Sequence, residues 1–196
     1  MGLKVEHVNK TYGTKKVVND ISFEIDKPSV YGLLGTNGAG KTTTIRMILG
    51  ILKKDSGEIS WNGKEVKRKN VNFGYLPEER GVYPKTKIYD QMMYFAELKG
   101  MKKEKAIESL KYWANRLEVE QYINMTPEKL SKGNQQKIQF ITAIIHDPEL
   151  IVLDEPFSGL DPVNTELLKN VIIELIRNGK YIIMSSHQMH SIEEFC

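Results

Sequence analysis

At 196 residues, 40% apolar and 27% charged, the chain can bury one sizeable α/β core and has the profile of a globular domain, which excludes fibrous and disordered classes. Its 28 basic and 25 acidic residues leave a net charge of +3, too small a surplus to call for nucleic acid, so no nucleic-acid partner is expected. With Cys196 as its one cysteine, no apolar run of 18 residues, and a start, MGLKVEHVNK, that lacks both a signal-peptide core and the Ser or Thr of a myristoylation site, the chain is expected to be cytoplasmic, without disulfides or a membrane span.

Residues 3–8 (LKVEHV) and 17–25 (VVNDISFEI) alternate apolar and polar, as antiparallel strands with one wet face do. VYGLL (30–34) is a short apolar run that suits a buried strand, and TTTIRMILGIL, from Thr42, reads as a helix with one apolar side. SGEISWNGKEV (56–66) predicts a hairpin turning at Asn62-Gly63. The basic run KEVKRKN (64–70) is expected to be a solvated part of it, with a phosphate- or lipid-binding patch as the alternative. NFGYL (72–76) follows as a strand. From Ile88 to about Ile123 the period becomes helical, which predicts a helical subdomain at about 88–134 inserted into a core of 1–87 and 135–196. Helices are expected at 135–146 and 164–178, and buried strands at 150–153 (LIVL) and 181–185 (YIIMS). This alternation predicts an α/β fold: a mostly parallel core sheet with helices on it and an N-terminal antiparallel β subdomain. SSHQMHSIEEFC ends within a helical pattern without a cap, so the chain is expected to be truncated at its C-terminus.

Two motifs carry chemistry. GTNGAGKT (35–42) matches G-x-x-x-x-G-K-[ST] between a strand and a helix, the context that makes it a phosphate-binding loop. Gly35, Gly38 and Gly40 let the backbone close around a phosphate, and successive N–H groups, with the helix N-terminus, form an anion nest. Asn37, Gly38, Ala39, Gly40, Lys41, Thr42 and Thr43 are therefore expected to bind nucleotide. Lys41 would reach the β/γ phosphates and the Thr42 hydroxyl would ligate Mg²⁺. LIVLDEP (150–156) is an apolar strand ending in two carboxylates. Asp154 would hold Mg²⁺, directly or through water, and Glu155 would accept a proton from the water attacking the γ-phosphate.

The loop, then LSKGN (130–134), LIVLDEP, SGLD (158–161) and His187 after a buried strand follow one another in an order that resembles the ATPase subunit of an ATP-binding cassette (ABC) transporter over essentially the whole chain. YLPEERGVYP, LSKGNQQKIQF, DEPFSGLDPVN and SSHQM resemble more narrowly the sodium-extrusion and drug-exporter (ABC-2 type) branch. The resemblance implies ATP and Mg²⁺ as cofactors. It implies that Tyr12 stacks on adenine with Val17 nearby, and that Ser131 and Gly133 meet the γ-phosphate of ATP held by the opposite subunit. LSKGN departs from the usual LSGGQ at Lys132 and Asn134, and no role is implied for Lys132. His187 takes the place of the switch histidine contacting the γ-phosphate, whereas His190 has no such place and is expected at the surface. Asp161 belongs to the loop that crosses between two ATP sites. Glu78 stands where a Mg²⁺-sensing glutamine is usual, and is expected to bind metal-bound water in its stead.

The implied protein is an ATPase, a homo- or heterodimer formed on ATP, that powers a separately encoded transmembrane permease from the cytoplasmic face of the plasma membrane, as an exporter. A soluble cassette ATPase acting on ribosomes or DNA is the alternative. Those proteins usually carry two cassettes or a long coiled coil between loop and signature, and the 88 residues from 43 to 130 hold no long heptad array.

Overall fold

The structure is a computed structural model and describes residues 2–67, 71–79, 81–187, 189–193 and 195, without the side chains of His190 and Ser191. Residues 68–70 of the basic run, Cys196 and the His190 side chain thus lie outside the described residues.

Two sheets face each other. The antiparallel one has the order β2-β1-β4-β5, from β1 (Leu3–Tyr12), β2 (Lys15–Ile25), β4 (Ser56–Trp61) and β5 (Lys64–Glu65). The other is parallel in the order β3-β8-β7-β6, from β3 (Val30–Leu34), β6 (Phe73–Leu76), β7 (Leu150–Asp154) and β8 (Tyr181–Ser186). Helices α1 (Lys41–Ile48), α2 (Ile88–Leu98), α3 (Lys103–Arg116), α4 (Lys132–Ile144), α5 (Pro162–Arg177) and α6 (His190–Glu193) complete the fold.

The continuous apolar run of β7 has a simple cause: helices or sheet cover both its faces. Leu150 and Val152 point into a core shared with α1 and the antiparallel sheet, where Val5, Ile59 and Ile48 are buried. Ile151 and Leu153 point the other way, into a core built with α2, α3, α4 and α5 that contains Met92, Leu110, Phe140 and Leu168. The pleat divides one strand between two cores, and each such buried side chain contributes about 1.5–3 kcal/mol. Gly74 of β6 is needed for this packing, because a Cβ there would run into the carbonyl of Ala143 on α4.

Several boundaries shift from the sequence expectation, and caps explain the earlier starts of two helices. α4 begins at Lys132 rather than 135, because Ser131 is its N-cap and its Oγ accepts from the Asn134 N–H at 3.3 Å. α5 begins at Pro162 rather than 164, because Asp161 caps it and proline suits the first helical position. β2 begins at Lys15, two residues early, where its tight turn with β1 pairs Tyr12 with Lys15.

His146, just past α4, is half-buried between α4 and β6. Its Nε2 lies 3.1 Å from the Phe73 carbonyl oxygen, to which Lys99 Nζ also donates at 3.0 Å. Burial first, and the Lys99 charge second, lower its pKa from 6.5 to about 4. The unfolded chain takes up this proton near pH 6.5 and the folded chain only near 4. Stability is therefore complete above pH 6.5 and falls as pH drops towards 4. At about 1.4 kcal/mol per pH unit the loss is about 3 kcal/mol. Urea unfolding at pH 7.5 and 4.5 is expected to show a smaller loss for His146→Gln than for wild type; an equal loss would rule out this origin.

Candidate nucleotide site

All four parallel strands run the same way, so Leu34, Leu76, Asp154 and Ser186 end along one edge of the sheet. Ligands of open α/β sheets bind at such an edge. The glycine-rich loop leaves β3 there and turns into α1. Gly38 and Gly40 have φ of 80° and 91°, left-handed values that glycine adopts without steric cost. At Gly40 the space for a side chain is also taken, since a Cβ would stand 2.6 Å from the Val17 carbonyl oxygen.

The loop encloses a cavity of about 310 Å³, lined by Val17, Asn37, Gly38, Ala39, Gly40, Lys41, Thr42, Thr43, Glu78 and Glu155. Every one of these was named from sequence, including Val17 and Glu78, which come from other strands and loops. Lys41 Nζ donates to the Gly35 and Thr36 carbonyls at 2.6 and 3.3 Å and lies 3.7 Å from Glu155 Oε1.

At the end of β7, Asp154 is buried. It accepts from Thr42 Oγ1 at 2.9 Å and, on its other oxygen, from Ser185 Oγ. Ser185 in turn accepts from the Glu155 backbone N–H at 3.0 Å. Glu155 takes a left-handed φ of 50°, which is strained for a residue with a side chain and here turns its carboxylate out of the strand direction towards the loop. His187 Nδ1 lies 2.9 Å from Glu155 Oε2, and Glu155 Oε1 is buried with no hydrogen bond among the described residues. Thr42 and Asp154 offer a hydroxyl and a carboxylate side by side. Such hard oxygens fit Mg²⁺, which keeps several waters and takes phosphate oxygens for the rest. The anion nest and the lysine fit a polyphosphate.

The remaining residues are not gathered here. Tyr12 stands at the end of β1, half exposed, with Lys10 Nζ 5.5 Å from its ring centroid, and does not line the loop cavity. Ser131, the exposed N-cap of α4, and Gly133, half-buried in its first turn, also lie outside it. A Cβ on Gly133 would come within 3.6–3.7 Å of Leu160 and Asn164, so the signature stretch lies beside the loop carrying Asp161. Both Asp161 carboxylate oxygens are taken up by Asn164, at 2.9 Å by its backbone N–H and at 2.6 Å by its side chain, and these bonds hold the Asp161 pKa below its ordinary value.

Sequence reasoning missed Ser185, which ties Asp154 to the backbone of Glu155. It also missed Gln139, buried in α4, whose Nε2 donates to the Pro77 and Glu79 carbonyls at 3.1 and 3.0 Å and so fixes the loop that bears Glu78. A glutamine in the middle of an apolar helix was the available signal for the second, because a buried amide must find partners.

A phosphate-binding loop on a parallel sheet, with a carboxylate pair ending the strand two places away, defines a P-loop nucleoside triphosphatase. The ABC transporter family model matches residues 18–158. Among curated proteins, the uncharacterized ABC transporter ATP-binding protein YhaQ of Bacillus subtilis is 54% identical over 99% of this chain and 65% of its own length. The lipopolysaccharide export system ATP-binding protein LptB of Haemophilus influenzae is 29% identical over 99% of this chain and 83% of its own. The chain therefore spans less than two thirds of the first of these relatives. A solved ATP-binding subunit of an ABC transporter superposes with a TM-score of 0.90 at 29% identity, covering 100% of this chain and 83% of that one. The chain belongs to the ABC transporter ATP-binding family.

Proposed function

We propose that the chain binds and hydrolyses MgATP as a motor subunit of an exporter, working from the cytoplasmic face of the plasma membrane beneath a separately encoded permease. The observation that carries this is that Lys41, Thr42 and Glu155 line one loop cavity, with Asp154 hydrogen-bonded to Thr42 and His187 to Glu155 directly behind it. The loop N–H groups and Lys41 bind and orient the phosphates. Thr42 and Asp154, with Glu78 through water, would hold Mg²⁺, which would supply charge neutralisation at the phosphate oxygens. Glu155 accepts the proton of the attacking water, and His187 orients that carboxylate from its far oxygen.

Placement of Ser131 and Gly133 outside their own chain's loop cavity favours a second ATPase subunit, identical or homologous, that completes each site. Two such chains, head to tail, would close on ATP and open after hydrolysis. Tyr12 would stack on adenine, and Asp161 would couple the two sites. Among the described residues no helix is long and apolar enough to cross a membrane, so attachment would be through the permease. A cavity of about 600 Å³ between β6, α2 and α4, walled by Phe73, Val82, Phe95 and Leu98, with Leu98 64% exposed, offers that partner an apolar seat. LptB is the ATP-binding protein of a lipopolysaccharide export system, which supports that direction here, as does the likeness of the motifs to the ABC-2 branch.

The test is Mg²⁺-dependent release of phosphate from ATP by the purified chain, repeated in membranes with a co-expressed permease. Hydrolysis that needs Mg²⁺ and rises with the permease is expected. Stimulation by ribosomes or DNA instead would overturn the transport reading.

A further inference from the structure

Arg46 lies one helical turn beyond Thr42 on α1, so the two side chains leave the helix on the same face. Next to the loop cavity is a second one of about 290 Å³, whose polar lining is Thr42, Arg46, Tyr75, Glu78, Glu79 and Asp154. Glu78 lines both cavities and so forms part of the wall between them. Three of the lining groups are carboxylates, and Arg46 is the one cation among the described lining residues. The Tyr75 hydroxyl is buried there and feels three of these charges: burial first, then Asp154, raise its pKa, Arg46 opposes them, and Glu78 adds to the rise.

A polyphosphate entering the loop cavity meets Glu78 and Glu155 at once. Lys41 stands against Glu155 at 3.7 Å and is committed to the phosphate side. Glu78, exposed just past β6, shares that cavity with Lys41 as the one cation among its described lining residues, and with Lys41 against Glu155 it would swing away from the incoming anion. Arg46 can hold it from behind, because a guanidinium is always charged and matches a carboxylate with two parallel donors.

We propose that Arg46 is a positioning residue of the nucleotide site: by pairing with Glu78 across the second cavity, it keeps that carboxylate directed at the metal end formed by Thr42 and Asp154. Arg46 itself touches neither nucleotide nor metal. The proposal rests on the loop cavity being an MgATP site.

The test compares wild type, Arg46→Gln, Glu78→Gln and the double variant, by steady-state ATP hydrolysis and by Mg²⁺-dependent binding of a fluorescent ATP analogue. Arg46→Gln is expected to raise the KM for MgATP about tenfold, more than it lowers kcat, with an unchanged melting temperature because its side chain is exposed. The same substitution is expected to do almost nothing once Glu78 is already Gln, since no carboxylate remains to be held. An Arg46→Gln effect that is absent, or equal in both backgrounds, would overturn the pairing while leaving the ATP reading intact. If wild type shows no Mg²⁺-dependent binding of the analogue, the ATP reading fails and the pairing falls with it.

Discussion

Glu155→Gln is expected to slow ATP hydrolysis by at least about a hundredfold, the usual contribution of a general base, while ATP still binds. The amide keeps the shape of the carboxylate and still reaches His187, which lies 2.9 Å away, but it cannot accept the proton of the attacking water. It also removes the negative charge 3.7 Å from Lys41, so Lys41 is freed to hold the phosphates more firmly. With MgATP present, the variant should therefore accumulate as an ATP-bound dimer, visible by size-exclusion chromatography and by retained nucleotide. Hydrolysis within a few-fold of wild type would remove Glu155 from the role of base, and the strained φ of 50° would then need another explanation.

Ser131→Arg is expected to have the other large effect: hydrolysis lost by about a hundredfold or more, with ATP affinity of the same chain within about twofold of wild type. Removing a phosphate donor is worth roughly that much in an anionic transition state. Binding should persist because Ser131 lies outside the cavity walled by Lys41 and Thr42. Ser131 also caps α4, and losing a cap costs about 1 kcal/mol, so a melting curve must accompany the assay. Mixing Ser131→Arg with Lys41→Ala provides the sharper measurement. Each variant alone is inactive, but a mixed dimer contains one composite site with both an intact loop and an intact signature, and part of the activity should return. No recovery, in a mixture shown to form dimers, would mean that Ser131 does not act across an interface.

The amino-acid sequence by itself determined what depends on contiguous residues. Eight residues, 35–42, suffice for a phosphate nest, since its geometry is that of the local backbone and of a helix N-terminus. The apolar LIVLD run, with carboxylates at its end, foretold a strand buried on both faces and delivering Asp154 to its tip. Both local rules carry over because each needs only a few neighbours along the chain. The cap of α4 was less legible: the apolar pattern places the helix from 135, whereas Ser131 with Asn134 closes its first turn three residues earlier.

The tertiary structure alone decided what depends on strand order. With the order β3-β8-β7-β6, Ser185 on β8 comes to stand beside Asp154, to which it is registered, and bridges it to the next residue's backbone. Nothing in the run YIIMSS distinguishes that serine from its neighbour. The same packing brings Thr42 within 2.9 Å of Asp154 across 112 positions of sequence and the Val17 carbonyl under Gly40. It also turns Arg46 and Glu78 into a shared cavity. A charged residue's partner is set by distance in space: a hydrogen bond needs about 3 Å between heavy atoms, and Coulomb attraction weakens with separation and is screened by salt over about 10 Å. Which charges meet therefore follows from the packing of α1 against β6 and β7, which no local pattern encodes.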